Sequence, residues 1–483
     1  MSTPNTHHGA RAIKEMLKMP HCKRIFFCGV GGINMSSLAE LAMLEGYEVA
    51  GSDSTESAAT RRLSSMGADI SIGQHAENLE GADAFVYTVA IAPDNPEYLR
   101  ASEMGIPMIS RADFLGYAMT ERKNRIGVSG THGKSTCTAM CYSVFNSARR
   151  DPIVMCGAEM IGDCQSGCSC VIGRGDDFIF EACEYMDSFL DFYPTVAIVL
   201  NMEHDHVDYF KDMAQMRRSY LSFANITRDD GEGCVIYNRD CAETVAALKT
   251  FGGRHIPFGI ESDGEGFTAR GLSVTRGRYS FNVYLNGEFF TQVKLSVPGK
   301  HNVYNALAAM AAGYISGISP EDISAGLSAF RGTRRRMEYR GSRDGADFYD
   351  DYAHHPTEIE ASLRSAREAS EGRLICLFQS HTYSRTAALL DGFADALSLA
   401  DKVLVAPIYP ARETNSLGVS QYVLADRINL VVKSKNMGKI AVGCGDFDES
   451  AKLLLSDLHQ DDTVIIMGAG NICSIFDIIG LKK

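Results

Sequence analysis

The sequence predicts an α/β protein built from three domains. Its 483 residues are enough for about three domains with full hydrophobic cores. Short apolar segments alternate with segments of helical periodicity, which is typical of mostly parallel sheets covered by helices. Glycine-rich turns also join two strand-like segments to the helices that follow. We therefore expect a Rossmann-like N-terminal domain (1–122), a central P-loop domain with a mostly parallel sheet (123–334) and a C-terminal Rossmann-like α/β domain (335–483).

The composition, with 45% hydrophobic and 22% charged residues, is that of a globular protein. Residues 1–24 lack the apolar core of a signal peptide, and no apolar run reaches the ~18 residues of a membrane helix. The 14 cysteines mostly lie in apolar segments, as buried thiols do in a reducing compartment. Cys164, Cys168 and Cys170 match zinc-ligand spacings poorly. We expect a cytoplasmic protein without membrane insertion.

The formal net charge of −13 argues against a nucleic-acid partner, because such binders use a positive field to attract phosphate. Any anion that this chain binds must therefore meet local cations. Cationic and histidine side chains do cluster, at Lys134, at 334–336, at 354–355 and at His381 with Arg385.

The N-terminal region begins with an apolar strand, Arg24 to Gly29, followed by a GVGG turn and a helical segment. The next predicted strand ends at Asp53, where a dinucleotide fold places its ribose carboxylate. Such a turn binds any pyrophosphate, and Asn34 replaces its usual third glycine. An NAD site is therefore open but not favoured.

Residues 127–136, GVSGTHGKST, predict a phosphate-binding loop in the central region. A strand that turns on Gly130 and Gly133 and enters a helix at Lys134 aims backbone N–H groups at phosphate oxygens. In such a loop the lysine reaches the β- and γ-phosphates and Ser135 binds Mg²⁺. The match is not strict, because five residues rather than four separate Gly127 from Gly133.

Two further predicted strands of this region end in acids and histidines. Glu184 follows one of them and His206 the other, and parallel sheets place ligand sites at such strand ends. These two side chains could therefore bind a second Mg²⁺, although Mg²⁺ usually prefers oxygen. His204 is more simply interpreted as structural.

The segment from Asp229 to Lys294 contains short strand-like stretches and many glycines, and we expect an inserted antiparallel sheet there. An alanine-rich helix follows the Pro-Gly turn at 298. Asn302 and Asn305 share one face of this helix and could contact a base edge. Taken alone, helix capping is the favoured explanation of these residues.

The C-terminal region again alternates strands with helices. Asp351, Tyr352 and His354 follow one predicted strand, and His381 and Arg385 follow another. Open α/β sheets bind their ligands at these carboxyl ends. The GAGNI segment at 468–472 is not followed by a helix-opening lysine, and we interpret it as a structural turn.

Six motifs occur in order: GTHGKST, EACEY, NMEHDHVDY, PGKHNVYNA, GTRRR and DDYAHHPTE. In this combination the sequence resembles the Mur ligases of peptidoglycan synthesis over nearly its whole length. The last motif, FQSHTYSRT and the GVGG turn are most similar to the alanine-adding member. Members that act later in the pathway typically carry a carbamylated lysine shortly after the HxD histidine, where this chain has residues 220–222, YLS.

The resemblance implies an ATP-dependent ligase with a central P-loop ATPase domain, two Mg²⁺ ions and an acyl-phosphate intermediate. Its substrates would be UDP-N-acetylmuramic acid and L-alanine, and the protein would be a monomer or homodimer. The implied metal ligands are Ser135, Glu184 and His206. The implied catalytic residues are Lys134, Glu184, His206, His354 and Arg335 or Arg336.

The implied binding residues fall into three groups. The ATP site would comprise Gly130, Thr131, His132, Gly133, Lys134, Ser135, Thr136, Asn302, Asn305 and Asp351. The UDP-sugar site would comprise Gly29, Gly31, Gly32, Asn34, Asp53 and His75. The amino-acid site would comprise Tyr352, His354, His381 and Arg385. Thr382 stands where some members carry arginine, and Ser380 where proline is common, so selectivity among small amino acids stays open.

Three other functions can be compared with the ligase that the resemblance implies. A recycling ligase that attaches a whole tripeptide to the same sugar acid shares most motifs, but its opening turn usually differs from GVGGI. An NAD-dependent oxidoreductase would leave the Gly-Lys-Ser turn without a role. A non-catalytic nucleotide-binding protein is not supported, because Lys134, Ser135, Glu184 and His206 are all present.

Overall fold

The computed structural model describes residues 10–17, 22–88, 91–92, 94–162, 169–206, 209–228, 231, 233–411, 413–434, 438 and 440–481. The described strands form three sheets, one in each of the three regions of the chain, and helices cover them. The α/β fold class with mostly parallel sheets is therefore confirmed. The described part of the chain includes no helix with the length and apolar character needed to cross a bilayer.

The first sheet has five parallel strands in the order β3-β2-β1-β4-β5. Its strands are β1 (Arg24–Cys28), β2 (Glu48–Asp53), β3 (Asp69–Ile72), β4 (Ala84–Tyr87) and β5 (Met108–Ser110). The helices of this region are α1 (Ala10–Leu17), α2 (Ile33–Leu44), α3 (Ala58–Ser65), α4 (Pro96–Met104) and α5 (Arg111–Thr120), with a 3₁₀ turn at Ala76–Leu79.

The central sheet has ten strands in the order β15-β14-β13-β12-β11-β10-β6-β9-β7-β8. Its strands are β6 (Asn124–Ser129), β7 (Ile153–Met155), β8 (Cys170–Val171), β9 (Asp177–Glu181), β10 (Val196–Val199), β11 (Cys234–Asn238), β12 (Arg254–Gly259), β13 (Phe267–Thr275), β14 (Arg278–Leu285) and β15 (Glu288–Pro298). The helices are α6 (Lys134–Ser147), α7 (Met213–Ile226), α8 (Ala242–Leu248), α9 (His301–Ile315) and α10 (Pro320–Ala329), with a 3₁₀ segment at Tyr185–Asp191.

The prediction of an inserted antiparallel sheet between Asp229 and Lys294 is wrong in part. Strands β11 and β12 pair in parallel with β10 and with each other and so extend the main sheet. Within this segment only β13, β14 and β15 pair antiparallel, and β13 joins them to β12 through a parallel pairing. The helices α7 and α8 provide the crossovers that parallel neighbours require, whereas glycine turns alone suggested hairpins.

The third sheet has six strands in the order β16-β17-β21-β18-β19-β20, and only β16 and β17 pair antiparallel. Its strands are β16 (Glu338–Arg343), β17 (Ala346–Asp351), β18 (Leu374–Phe378), β19 (Lys402–Val405), β20 (Ala441–Gly443) and β21 (Thr463–Met467). The helices are α11 (Pro356–Ala369), α12 (Tyr383–Ala388), α13 (Leu390–Leu397), α14 (Gln421–Ser434), α15 (Phe447–Leu455) and α16 (Ile475–Ile478), with a 3₁₀ turn at Ile472–Ser474.

The two boundaries between these regions differ in chemistry. One apolar cluster runs from the first region into the central one and includes Phe27, Phe114 and Phe189. The third region has apolar clusters of its own, and polar side chains such as His132 and Glu358 contact each other across its boundary with the central region. Polar interfaces of this kind suit domains that move relative to each other.

Candidate nucleotide and metal site

The phosphate loop joins the buried strand β6 to α6, as its sequence predicts. Gly130 and Gly133 have φ angles of 138° and 85°, where a side chain would be strained. A Cβ atom on Gly133 would also lie 2.8 Å from Asn305 Oδ1. Glycine at 133 therefore allows both the left-handed turn and the close approach of α9 to the loop.

Lys134 is held against its own loop and against Glu184. Its Nζ donates to the backbone oxygens of Gly130 (2.6 Å) and Thr131 (3.1 Å). It also lies 3.2 and 3.1 Å from the two carboxylate oxygens of Glu184. The structure thus brings together the lysine and Glu184, one of the three metal ligands that the sequence predicts.

His206 completes this cluster. Its Nε2 lies 3.6 Å from Glu184 Oε1, and its ring packs against Tyr185 with the centroids 4.7 Å apart. Burial alone would raise the pKa of Glu184, but Lys134 and His206 outweigh it and lower that pKa. A buried, ionised carboxylate beside an imidazole is a donor set that can bind a divalent cation.

A cavity of about 280 Å³ lies between the phosphate loop, α9 and the C-terminal domain. Asn302 and Asn305 line it, and both are almost fully buried. Asn302 Nδ2 donates to the backbone oxygen of Pro298, and Asn305 Nδ2 donates to Asn302 Oδ1. The helix cap is Lys300, so capping is not the role of the two asparagines. Their amides instead form one wall of this cavity.

His132 joins the central domain to the C-terminal one. Its Nδ1 lies 3.2 Å from Glu358 Oε1, and its Nε2 lies 3.3 Å from Glu203 Oε2. Burial would lower the pKa of His132, but the two carboxylates outweigh it and raise the pKa to about 9. His132 is therefore a cation held between two anions at neutral pH.

Arg335 and Arg336 point to different surroundings although they are neighbours. Arg335 Nη2 donates to the backbone oxygens of Gly468 (2.5 Å) and Gly470 (3.3 Å). Arg336 lines the cavity, and its Nη1 lies 3.8 Å from Glu358 Oε1. Both guanidinium groups lie over the Tyr352 ring, at 4.9 and 5.2 Å. Of the two arginines, Arg336 is the one that faces the nucleotide cavity.

Asp351 ends β17 at the wall of the same cavity. Its carboxylate accepts hydrogen bonds from the backbone N–H groups of Met337 and Ala353, both at 2.8 Å. Burial raises its pKa to about 6, in spite of the nearby Arg336. The carboxylate therefore holds two backbone segments that carry other predicted site residues.

The predicted amino-acid residues lie together at the carboxyl ends of β17 and β18. The His354 ring is 6.4 Å from the His381 ring, and His381 packs on Tyr409. Burial lowers the pKa of His354 to about 4, so its imidazole is neutral at pH 7. Arg385 Nη2 lies 3.8 Å from Asp205 Oδ1 in the central domain.

The predicted UDP-sugar residues surround the first glycine-rich turn. The Gly31 N–H donates to Asp53 Oδ2 at 2.9 Å, and Gly32 precedes α2. Gly29 has a φ of 76°, and His75 immediately precedes the 3₁₀ turn that follows β3. Asn34 lies in α2, but its side chain is outside the described residues, as are Cys164 and Cys168.

Sequence reasoning missed Glu203 and Glu358. Both belong to motifs that were recognised, NMEHDHVDY and DDYAHHPTE, but neither was assigned a role. Glu203 also accepts a hydrogen bond from Thr357 Oγ1 at 2.7 Å, across the same interface. Glu203 lies in the segment after β10, and Glu358 lies in the first turn of α11, which follows β17. Their closeness to these strand ends was the available signal.

Family models cover most of the chain. The Mur ligase family catalytic-domain model matches residues 24–123, the middle-domain model residues 128–313, and the glutamate-ligase-domain model residues 335–470. The UDP-N-acetylmuramate–L-alanine ligase of Caldanaerobacter subterraneus is 41% identical and spans 94% of this chain and 96% of its own. That of Lachnospira eligens is 42% identical and spans 93% and 96%.

Solved structures share the same architecture. The UDP-N-acetylmuramate–alanine ligase from Thermotoga maritima aligns with a TM-score of 0.73 at 28% identity, over 95% of this chain and 98% of that one. The murein peptide ligase from Psychrobacter arcticus aligns with a TM-score of 0.63 at 24% identity, over 95% and 98%. At 24% identity, the similarity to the Psychrobacter arcticus structure shows a shared fold and nothing more.

Proposed function

The chain belongs to the Mur ligase family, and we propose from this premise that it joins L-alanine to the carboxylate of UDP-N-acetylmuramic acid with hydrolysis of ATP to ADP. This reaction contributes to the synthesis of peptidoglycan precursors. The substrates named for relatives about 40% identical over more than nine-tenths of the chain support it. We also propose that the reaction takes place in the cytoplasm, where ATP is available.

One observation of the structure carries the proposal. Direct contacts connect the phosphate loop with both flanking groups: Lys134 contacts Glu184, which contacts His206, and His132 contacts Glu358 of the C-terminal domain. A carboxylate does not react with an amine at neutral pH, so the reaction needs a phosphate donor, a cation cluster and an amine site side by side. An NAD-dependent oxidoreductase does not need such an arrangement.

In the proposed reaction the muramyl carboxylate attacks the γ-phosphate of ATP, which releases ADP and forms an acyl phosphate. The amine of L-alanine then attacks the acyl carbon, loses a proton and displaces inorganic phosphate. The N–H groups of the loop from Gly130 to Thr136 bind the phosphate chain. Lys134 turns from Glu184 to the phosphates, and Arg336 stabilises the charge that develops on the transferred group. Asn302, Asn305 and Asp351 line the nucleoside end of the site.

The donor set fits Mg²⁺, with Ser135 on one ion and Glu184 with His206 on a second. When bound, these ions offset the negative charge of the phosphates and of the substrate carboxylate. Glu184 is fully buried and its pKa is lowered, so its carboxylate is ionised before any ligand arrives. Until a cation binds, the ammonium group of Lys134 neutralises the Glu184 carboxylate.

We propose that His354 positions the L-alanine amine rather than accepts its proton, because burial lowers the pKa of His354 to about 4 and makes it a weak base at pH 7. Its neutral ring lies beside Glu358, with His354 Nδ1 3.2 Å from Glu358 Oε2. Tyr352, His381 and Arg385 complete the amino-acid site in this proposal. Gly29, Gly31, Gly32, Asn34, Asp53 and His75 form the UDP-sugar site.

The deciding experiment is mass spectrometry of the product. The protein would be incubated with ATP, Mg²⁺ and UDP-N-acetylmuramic acid together with L-alanine, glycine, L-serine or the L-Ala-γ-D-Glu-diaminopimelate tripeptide in separate tubes. We expect an L-alanyl product with one ADP released for each. A tripeptide product alone would reassign the protein to precursor recycling, and the absence of every product would reject the ligase function.

A further inference from the structure

Three side chains form a cluster at the boundary between the central and C-terminal domains, apart from the Glu184–His206 pair. His132 and Glu203 belong to the central domain, and His355 belongs to the C-terminal domain. One imidazole nitrogen from each histidine and a carboxylate oxygen of Glu203 all lie within 4.8 Å of one another. Two imidazoles and one carboxylate are a common zinc-ligand set in proteins.

The spacing of the first two donors fits a tetrahedral metal. His132 Nε2 lies 3.3 Å from Glu203 Oε2. Two ligands that each lie about 2.0–2.1 Å from a tetrahedral zinc ion are about 3.3–3.4 Å apart. These two side chains therefore need little movement to share one ion, and the His355 ring has to approach them to complete the set.

Both central-domain donors are also oriented as metal ligands usually are. Glu358 Oε1 contacts His132 Nδ1 at 3.2 Å, which directs Nε2 toward Glu203. A carboxylate on the far nitrogen of a metal-bound histidine fixes its tautomer and raises its basicity. Thr357 Oγ1 holds the Glu203 carboxylate through a hydrogen bond of 2.7 Å.

His355 supplies the independent observation. Its Nδ1 is buried and has no hydrogen-bond partner among the described residues. Its ring lies 5.3 Å from the His132 ring, centroid to centroid. Buried polar atoms are normally satisfied, so an unpaired nitrogen on the third side chain of this cluster indicates a missing ligand.

We propose that His132, Glu203 and His355 bind a transition-metal ion of the zinc type, which bridges the central and C-terminal domains. A fourth position would be filled by water. Mg²⁺ is a poor occupant, because two of the three donors are nitrogen. Binding releases to solvent the proton that His132 Nε2 shares with Glu203.

A metal that links the two domains opposes their separation. Product release from a cleft between domains requires the cleft to open. Zinc is therefore an inhibitor whose effect persists in excess Mg²⁺ and is reversed by a chelator. This consequence rests on the proposed ligase function, whereas the metal site itself does not.

The position of the ion is tested by crystallography. Crystals of the full chain would be soaked in ZnCl₂ and an anomalous map recorded at the zinc absorption edge. We expect one peak between His132, Glu203 and His355. Peaks confined to Glu184 and His206, or to cysteines, would overturn the proposal.

Affinity in solution tests the same site without activity. Zinc binding would be measured by competition with a chromophoric chelator for the wild type, His355→Gln and Glu203→Gln, with His204→Gln and His354→Gln as matched controls. We expect each of the first two variants to lose one zinc equivalent and the zinc-induced rise in Tm, and both controls to keep them. Circular dichroism confirms that each variant is folded, and equal zinc binding by all five proteins would reject the site.

Inhibition separates the two proposals. Both proposals stand if the wild type forms product without zinc and if zinc inhibits the wild type at a concentration more than tenfold lower than it needs to inhibit His355→Gln. If zinc inhibits both proteins equally, the interdomain site is rejected and the ligase function remains. If no product forms but the anomalous peak is present, the metal site stands and the proposed function fails.

Discussion

His132 of the phosphate loop contacts Glu358 of the C-terminal domain, with 3.2 Å between Nδ1 and Oε1. The same imidazole contacts Glu203, so one cation of the nucleotide loop is held by carboxylates on both sides of the cleft. Because Glu358 also contacts Arg336 and His354, it connects the proposed phosphate site with the proposed amino-acid site. Polar contacts therefore join the central and C-terminal domains next to the proposed active site.

This contact predicts energetic coupling between His132 and Glu358. We expect His132→Gln and Glu358→Gln to destabilise the protein by amounts that do not add, with a coupling of about 0.5–3 kcal/mol in the free energy of unfolding. Denaturant unfolding of the wild type, the single variants and the double variant measures it. His459→Gln, an exposed histidine of the same domain, is the control and should be additive with Glu358→Gln. Additivity in both cycles would mean that the contact contributes nothing.

The phosphate loop was predictable from sequence because its glycines, lysine and serine are adjacent in the chain. The contact between His132 and Glu358 was not, because residues more than two hundred positions apart meet only through the packing of two domains. The parallel pairing of β11 and β12 was missed for a related reason. Glycine turns are a local signal, whereas strand order depends on the crossover helices.

The choice between Arg335 and Arg336 could not be made from sequence either. Arg335 adopts a φ of 57°, so the two neighbouring side chains diverge in a way that helical or strand periodicity does not describe. For Asn302 and Asn305, by contrast, the sequence was sufficient. Their helical spacing correctly placed both on one face, and the structure adds that this face lines the cavity.

Lys134→Ala is expected to abolish ligation. The variant loses the proposed contact of Lys134 with the phosphates, and we expect turnover to fall by at least about a hundredfold. Removal of the partner also leaves the buried Glu184 carboxylate uncompensated, which costs about 3–5 kcal/mol of stability. Product formation and Tm would be measured beside Lys123→Ala, an exposed lysine before β6 that should behave as wild type. Retained turnover in Lys134→Ala would reject its role at the phosphates.

His206→Ala is expected to raise the Mg²⁺ concentration needed for half-maximal activity by about tenfold or more. The reason is that Glu184 loses the imidazole that shares its cation in the proposed site. His204→Ala is the matched control, because the Nε2 atom of His204 contacts a backbone oxygen, that of Phe210, at 2.9 Å. Identical Mg²⁺ titrations for His206→Ala and the wild type would remove His206 from the metal site.

Asp351→Asn is expected to change the pH dependence of stability. The pKa of Asp351 is raised from its usual value to about 6 in the folded protein, so the folded state holds this proton more tightly than the unfolded one. The resulting stabilisation is full below about pH 4 and is lost as pH rises through 6. It amounts to on the order of 3 kcal/mol.

The asparagine variant lacks this titration. The Tm of the variant minus that of the wild type should therefore rise between pH 4 and 7. Any loss of stability from the substitution that does not depend on pH shifts this difference by the same amount at every pH. Asp344→Asn, at an exposed turn, should show a constant difference over the same range. A constant difference for Asp351→Asn as well would contradict the raised pKa.

The two arginines offer the sharpest test of the catalytic assignment, because they are adjacent and share the Tyr352 ring. Lysine cannot reproduce the planar, bidentate contacts of a guanidinium group. Arg336→Lys should lower kcat by about a hundredfold with little change in Tm, since Arg336 lines the cavity and, in the proposed reaction, stabilises charge in the transition state. Arg335→Lys should instead lower the free energy of unfolding by about 1.5–3 kcal/mol, because it loses charged hydrogen bonds to the backbone at 468 and 470. Steady-state kinetics and thermal unfolding of both variants distinguish the roles, and a reversed pattern would assign the phosphate contact to Arg335.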